Sequence, residues 1–178
     1  MRLKLILFIS IIYLAPCGCT NDLSEKDRVS HQILYQFTNQ MKKEGLDAIG
    51  LGGGSNHGKI NLIDICFNIQ QVMDISSARK LMVCSIKKLL NIINSNEEFC
   101  ANFEKLPVTE DVFHISIIGL TQKPDICNFV QIVTLVNGKI YYEIHNEKPS
   151  FPPFTTIHEE TFEEAKRILV ESAENKCL

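Results

Sequence analysis

The apolar positions of this chain follow two rhythms. Val29, Ile33, Leu34, Phe37 and Met41 recur at helical spacing and predict a helix from about Glu25 to Glu44, stopped by Gly45. Ile63, Ile65, Phe67 and Ile69 instead alternate with Leu62, Asp64, Cys66 and Asn68, which predicts a strand over 60–70. Asp74 then stands at an N-cap position ahead of the most strongly patterned segment, 75–94. There Ile75, Ala78, Leu81, Met82, Ile86, Leu89, Ile92 and Ile93 share one broad helical face, with Lys80, Lys87, Lys88 and Asn91 opposite. Cys84 falls in the middle of the polar side. That leaves it an exposed thiol, half of a disulfide, or a contact with the first helix. Ser95-Asn96-Glu97-Glu98 has the form of a capping box and opens a short helix. This helix turns Phe99, Phe103 and Leu106 inward and ends at Pro107.

Strands are predicted over 112–120, 126–136 and 139–146, with a turn at 121–125 around Pro124. Asn137-Gly138 is a hairpin signal whose two-residue turn pairs Val136 with Lys139, Leu135 with Ile140, Val133 with Tyr142 and Ile132 with Glu143. Opposed residues share a face. Phe129, Val133, Leu135, Ile140, Tyr142 and Ile144 therefore line the core side. The glycine-rich stretch 50–58 reads as a flexible connection, and 148–156 as a loop stiffened by Pro149, Pro152 and Pro153. A last helix, 159–174, carries Phe162, Ala165, Leu169 and Ala173 as its stripe.

The order of elements predicts an α+β fold. It has a single four-stranded, mostly antiparallel sheet with the long helix across one face and further helices at both termini. The first strand can run parallel to the second through the helical crossover. The other face of the sheet holds Leu62, Val112, Ile118, Val130, Ile132 and Val136. It is too apolar for simple exposure, so either a terminal helix covers it, which is the expectation, or it is a binding surface.

Before all this comes Met1-Arg2-Leu3-Lys4, an apolar run from Leu5 to Ala15, then Pro16-Cys17-Gly18-Cys19. The run is shorter than the roughly 20 residues that span a bilayer. A positive lead, a short apolar core and a small-residue exit describe an export signal. With cysteines at its end, this leader resembles that of bacterial lipoproteins. The resemblance covers the leader alone. It implies that the cysteine after the cut is acylated and anchors the chain to a cell membrane or outer membrane. Cys19, after Gly18, fits the position next to the cut. Cys17, after Leu14-Ala15-Pro16, is the alternative. On this reading 1–18 is a signal peptide, 19–24 a tether and 25–178 one domain.

Charge narrows the partners. Without residues 1–18 the chain has 16 basic and 21 acidic groups, about −5, which argues against nucleic acid. Cys66, Cys84, Cys100, Cys127 and Cys177 form no Cys-x-x-Cys pair, so neither a zinc knuckle nor a thioredoxin-type motif is present. An exported protein can form disulfides, but the spacing assigns no pairing.

Candidate chemistry is sparse. Asp64, Cys66, His114, Tyr141, Glu143 and His145 share the non-core face, and Asp64, His114, Glu143 and His145 could bind a divalent metal or run acid–base chemistry. Gly53 to Lys59 has the glycine-lysine frame of a phosphate loop. Ile60 stands where the magnesium-holding hydroxyl belongs, however, and the segment leads into a strand. Ser77-x-x-Lys80 has the spacing of penicillin-recognising enzymes, but Ser85-x-x-Lys88 has it too and the companion motifs are missing. Phe151 and Phe154 stand on the proline loop as partner-docking aromatics. The expectation is a membrane-anchored exported lipoprotein, a non-enzymatic binding or assembly accessory of the bacterial cell envelope. It would need no cofactor, would be held by its lipid, and would meet an envelope protein partner. The alternative is a small envelope metal-binding protein or hydrolase built on the Asp64, His114, Glu143 and His145 set.

Overall fold

The computed structural model describes residues 25–119, 129–146 and 153–172. The leader with Cys17 and Cys19, the turn at 121–125, the strand start at 126–128, Phe151, Cys127, Cys177 and the last helical residues 173–174 lie outside them. Helix α1 (Glu25–Lys42) leads into a hairpin, β1 (Leu46–Asn56) and β2 (Lys59–Ile69). Then come α2 (Ile75–Asn94), the single turn α3 (Glu97–Cys100) and β3 (Phe113–Gly119). The chain continues through β4 (Ile132–Val136), β5 (Lys139–His145) and β6 (Phe154–Thr161) to α4 (Phe162–Glu171).

The sheet has six strands in the order β1-β2-β3-β4-β5-β6, which corrects the four-stranded expectation. Only β2 and β3 are parallel, joined through α2. The first extra strand is the glycine-rich segment expected to be a flexible connection. It pairs with β2 from Leu46↔Ile69 to Asn56↔Lys59. The turn between them is His57-Gly58, with φ of 46° and 75°. This matches the Asn137-Gly138 turn, at 50° and 72°. Both are the positive-φ pairs that a two-residue hairpin requires. The second extra strand, β6, takes its residues from the end of the expected proline loop and the start of the expected last helix. Its β-branched run Thr155-Thr156-Ile157 pairs with β5, and the helix starts only after Thr161. There the hydroxyl of Thr161 accepts from the Glu164 amide at 3.2 Å while Glu164 Oε2 accepts from the Thr161 amide at 2.8 Å. This capping box fixes the boundary. The β4–β5 register is the one the Asn137-Gly138 turn dictates.

Every described helix packs on the same side of the sheet. Ile33, Phe37 and Met41 of α1 join one buried cluster with α2, with Phe162, Ala165 and Leu169 of α4, and with the inward residues of β2 to β5. The Phe37 ring meets Phe67 edge-on, with centroids 6.0 Å apart. No described helix covers the opposite face, contrary to expectation. The reason lies in α2, where Leu81 to Ile86 are all buried. Through those turns the helix is wetted on no side, so α1 and α4 flank it instead of crossing the sheet. That also accounts for Cys84, which is buried and is one half of a disulfide whose other half lies outside the described residues. Leu106 does not turn inward and is 62% exposed, because α3 stops after one turn.

Asp74 opens α2. Its Oδ1 accepts from the Ser77 amide at 2.7 Å and from the Ser77 hydroxyl at 2.7 Å. These bonds, the hydroxyl's first, hold the Asp74 carboxyl below its ordinary value. A carboxyl lowered in the folded state stabilises above its unfolded pKa, and that contribution is lost as pH falls through the folded one. Asp74→Ala should therefore cost about 1 kcal/mol at neutral pH. Thermal melts of the two proteins should converge as the solution is acidified below the usual carboxylate range.

Candidate functional site

The side of the sheet without a helix is built by strand alternation. In register across it run Cys66, Ser116, Thr134, Tyr141 and Glu159, one from each strand from β2 to β6. The next row is Asn68, Ile118, Ile132, Glu143 and Thr156. Ser116 and Thr134 hydroxyls lie 3.3 Å apart across the β3–β4 seam. Ile118, Ile132 and Val136 are half-buried, as are Tyr141 and Glu143. The face is thus a band of small hydroxyls, aliphatics and one phenol, with charge at its margins. Cys66 is a free thiol in it, and burial first, then the neighbouring Asp64 charge, push its pKa up.

The four residues expected to share an ion are not brought together. Asp64 and His114 are cross-strand partners with Oδ1 and Nδ1 3.4 Å apart. Glu143 and His145 stand on β5, and Glu143 is in register with Ile118, not His114. Two strand spacings across and four residues along separate the pairs by roughly 16 Å. A shared ion needs ligands near 2 Å from it. Among the described residues no three His, Cys, Asp or Glu gather to hold a metal. The His145 ring instead packs edge-on against Phe154 at 5.5 Å, and its amide donates to Gln131 Oε1. Phe154, expected on a loop, is the first residue of β6 and half-buried.

Sequence patterning missed a second cluster, on the core side of the β5–β6 edge. Glu160 Oε1 accepts from Arg79 Nε at 2.7 Å and from the Tyr142 hydroxyl. The Glu160 and Arg79 side chains are 5% and 11% exposed. Burial pushes the Tyr142 hydroxyl upward, and the Glu160 carboxylate adds to that. Burial alone would lower Arg79, but Glu160 more than offsets it and the guanidinium is held above its usual value. Glu160 Oε2 and His158 Nε2 stand 3.8 Å apart, and neither has a hydrogen-bond partner among the described residues. The cluster ties α2 to the sheet edge. A helical reading of 159–161 hides it, because only strand alternation puts His158 and Glu160 on the same face as Tyr142.

A third feature lies at the opposite edge. The backbone of Gly52 to Gly54, with Leu34, Ile60 and Phe99, encloses a groove of about 240 Å³. Within the described residues β1 pairs only with β2, so its outer backbone edge is open. Ile49 and Leu51 on it are 54% and 51% exposed.

No family model matches this chain, and no curated protein or solved structure is similar to it.

Glu160→Gln should leave Arg79 as a buried cation facing a neutral partner. Breaking a buried pair in this way costs about 3–5 kcal/mol. Denaturant unfolding should show a loss of that size, whereas Glu159→Gln, exposed beside it, should change stability by less than about 0.5 kcal/mol.

Proposed function

We propose that this chain is an exported, lipid-anchored protein of the bacterial cell envelope that works as a binding or assembly accessory and not as an enzyme. The observation that carries the binding role is the helix-free face of the sheet. A one-sided antiparallel sheet ordinarily turns charged and polar residues to solvent. Here the centre of that face is Ile118, Ile132, Val136 and Tyr141 around the Ser116–Thr134 pair. A face of that composition suits contact with another macromolecule: apolar and aromatic in the middle, charged at the rim. Phe154 beside His145 extends it to the β6 edge.

The export reading is supported separately, by the charged and apolar start of the chain. The Cys84 disulfide supports it too, since such bonds persist in oxidising compartments. Acylation at Cys19 would hold the domain at a membrane through the short tether 19–24. No described helix is long and apolar enough to cross a membrane.

Two measurements test the two halves. In cells fed a labelled fatty acid, the wild-type chain should carry label and sediment with membranes. Cys19→Ser should lose both, while Cys17→Ser keeps them, and an unlabelled wild type in the soluble fraction rejects the anchor. Photo-cross-linkers placed at Thr134 or Tyr141 should trap one discrete envelope protein in living cells. The same probe at Asn91, on the exposed side of α2, should not. Equal, diffuse labelling from all three positions would reject the sheet face as a contact surface.

A further inference from the structure

The two edges of the sheet are treated differently. β6 is guarded: it has a bulge opposite Tyr142–Glu143 and carries His158, Glu159 and Glu160 along its length. Charges and bulges are the usual means of keeping an edge from pairing. β1 has register shifts too, at Ala48/Gly50 and Gly54/Ser55, but between them it runs regularly from Gly50 to Gly54. From Ile49 to Asn56 it carries no charge and no proline, only Ile49, Leu51, four glycines, Ser55 and Asn56. Its outward amides and carbonyls are exposed to water and present a row that an extended strand can pair with in series.

The side chains specify which strand. Gly53 has to stay bare for the fold's own sake, since a Cβ there would sit 2.7 Å from the Leu62 carbonyl oxygen. The floor of the 240 Å³ groove is therefore empty by construction. Two residues earlier, on the same face of the strand, Leu51 stands half in water. Opposed residues of an antiparallel pair share a face. If a second β1 pairs antiparallel with the first about Gly52, Leu51 of each copy lies opposite Gly53 of the other. Each copy then supplies both the knob and the hole. A register about Leu51 would set the two leucines against each other and leave both grooves unfilled. The ends agree in sign as well: antiparallel pairing brings Asp47, 3.8 Å from Lys42 of its own chain, toward the turn of the other copy that ends at Lys59, whose Nζ donates to the Ala101 carbonyl.

We propose that this chain self-associates through β1, forming a two-fold dimer centred on Gly52 in which each Leu51 fills the partner copy's groove. The two six-stranded sheets become one of twelve strands. Because opposed residues share a face, both helix layers fall on one side and both helix-free faces on the other, doubling the exposed surface. The proposal stands whether or not the chain is lipid-anchored. A single strand edge buries less than the roughly 1,200–2,000 Å² of a stable interface, so the free dimer is weak, with a Kd on the order of micromolar or above.

The test is a cross-link through one introduced cysteine on the full chain, extracted from cells in mild detergent. Gly52→Cys is tolerated by the fold, because a Cβ there meets only Asp64 side-chain atoms, at 3.6 and 3.8 Å. In a Cys66→Ser background it should give a covalent dimer under mild oxidation. The Cα atoms of directly opposed antiparallel residues lie about 4.5–5.5 Å apart, within disulfide reach. Ser55→Cys, roughly 20 Å from its own copy in this register, should give none. Leu51→Lys, at a half-exposed site, should keep the melting temperature and weaken dimerisation in sedimentation equilibrium by at least roughly tenfold. A Gly52→Cys protein that stays monomeric overturns the proposal. So does equal cross-linking from Ser55→Cys, or a dimer indifferent to Leu51→Lys. Dimer lost only on mutating the helix-free face would place self-association there instead.

Discussion

The architecture depends on one requirement: helix α2 must be covered on every side through its middle turns. Leu81, Met82, Val83, Cys84, Ser85 and Ile86 are consecutive and all buried. One sheet face can cover only one side of a helix. The remaining sides need α1, which brings Ile33, Phe37 and Met41, and α4, which brings Phe162, Ala165 and Leu169. Ser85 remains in this environment because its hydroxyl donates to the Leu81 carbonyl at 2.8 Å. Gathering three helices on one side leaves the other side of the sheet, among the described residues, to strand alternation alone. The bare face and the buried core are therefore two results of the same packing demand.

The sheet edges extend that logic. At the β6 edge the Arg79–Glu160 ion pair and the Tyr142 hydroxyl lock α2 to the last strand, so charge is used there both to hold and to guard. At the β1 edge no charge faces the helix layer along the glycine tract, and small residues let the hairpin lie under α1. A long edge strand without charge needs some other means of being satisfied. The contrast between the two ends of one sheet gives the β1 surface its meaning, more than the exposure of any one leucine.

The parts of this fold that could be read in advance share a short-range cause. Asp74 caps α2 through bonds to Ser77 three residues away, and 75–94 was legible to the residue. Asn137-Gly138 set the β4–β5 register, because a two-residue turn leaves one pairing open. The inward row Ile63, Ile65, Phe67 and Ile69 followed from alternation alone. β1 was not legible, because glycines carry no periodicity and His57-Gly58 is a rarer hairpin pair than Asn-Gly. β6 was hidden by Glu159-Glu160-Thr161, which resembles a first helical turn until Thr161 is recognised as the cap. The Arg79–Glu160 cluster joins residues 81 positions apart, and no local signal reports such a meeting.

The sequence by itself determined the long helix α2 and its Asp74 cap, one hairpin register and the inward rows of β2 to β5. It also carries the charged, apolar leader on which the export reading rests. It could not say which face of the sheet would receive the helices. That was decided by the shared need of α1, α2 and α4 to exclude water from one another. Nor could it say that Asp64–His114 and Glu143–His145 would lie in separate pairs, since their spacing is set by strand order. Burial and strand pairing are sums over contacts between distant residues, and they exist only once the chain has closed on itself.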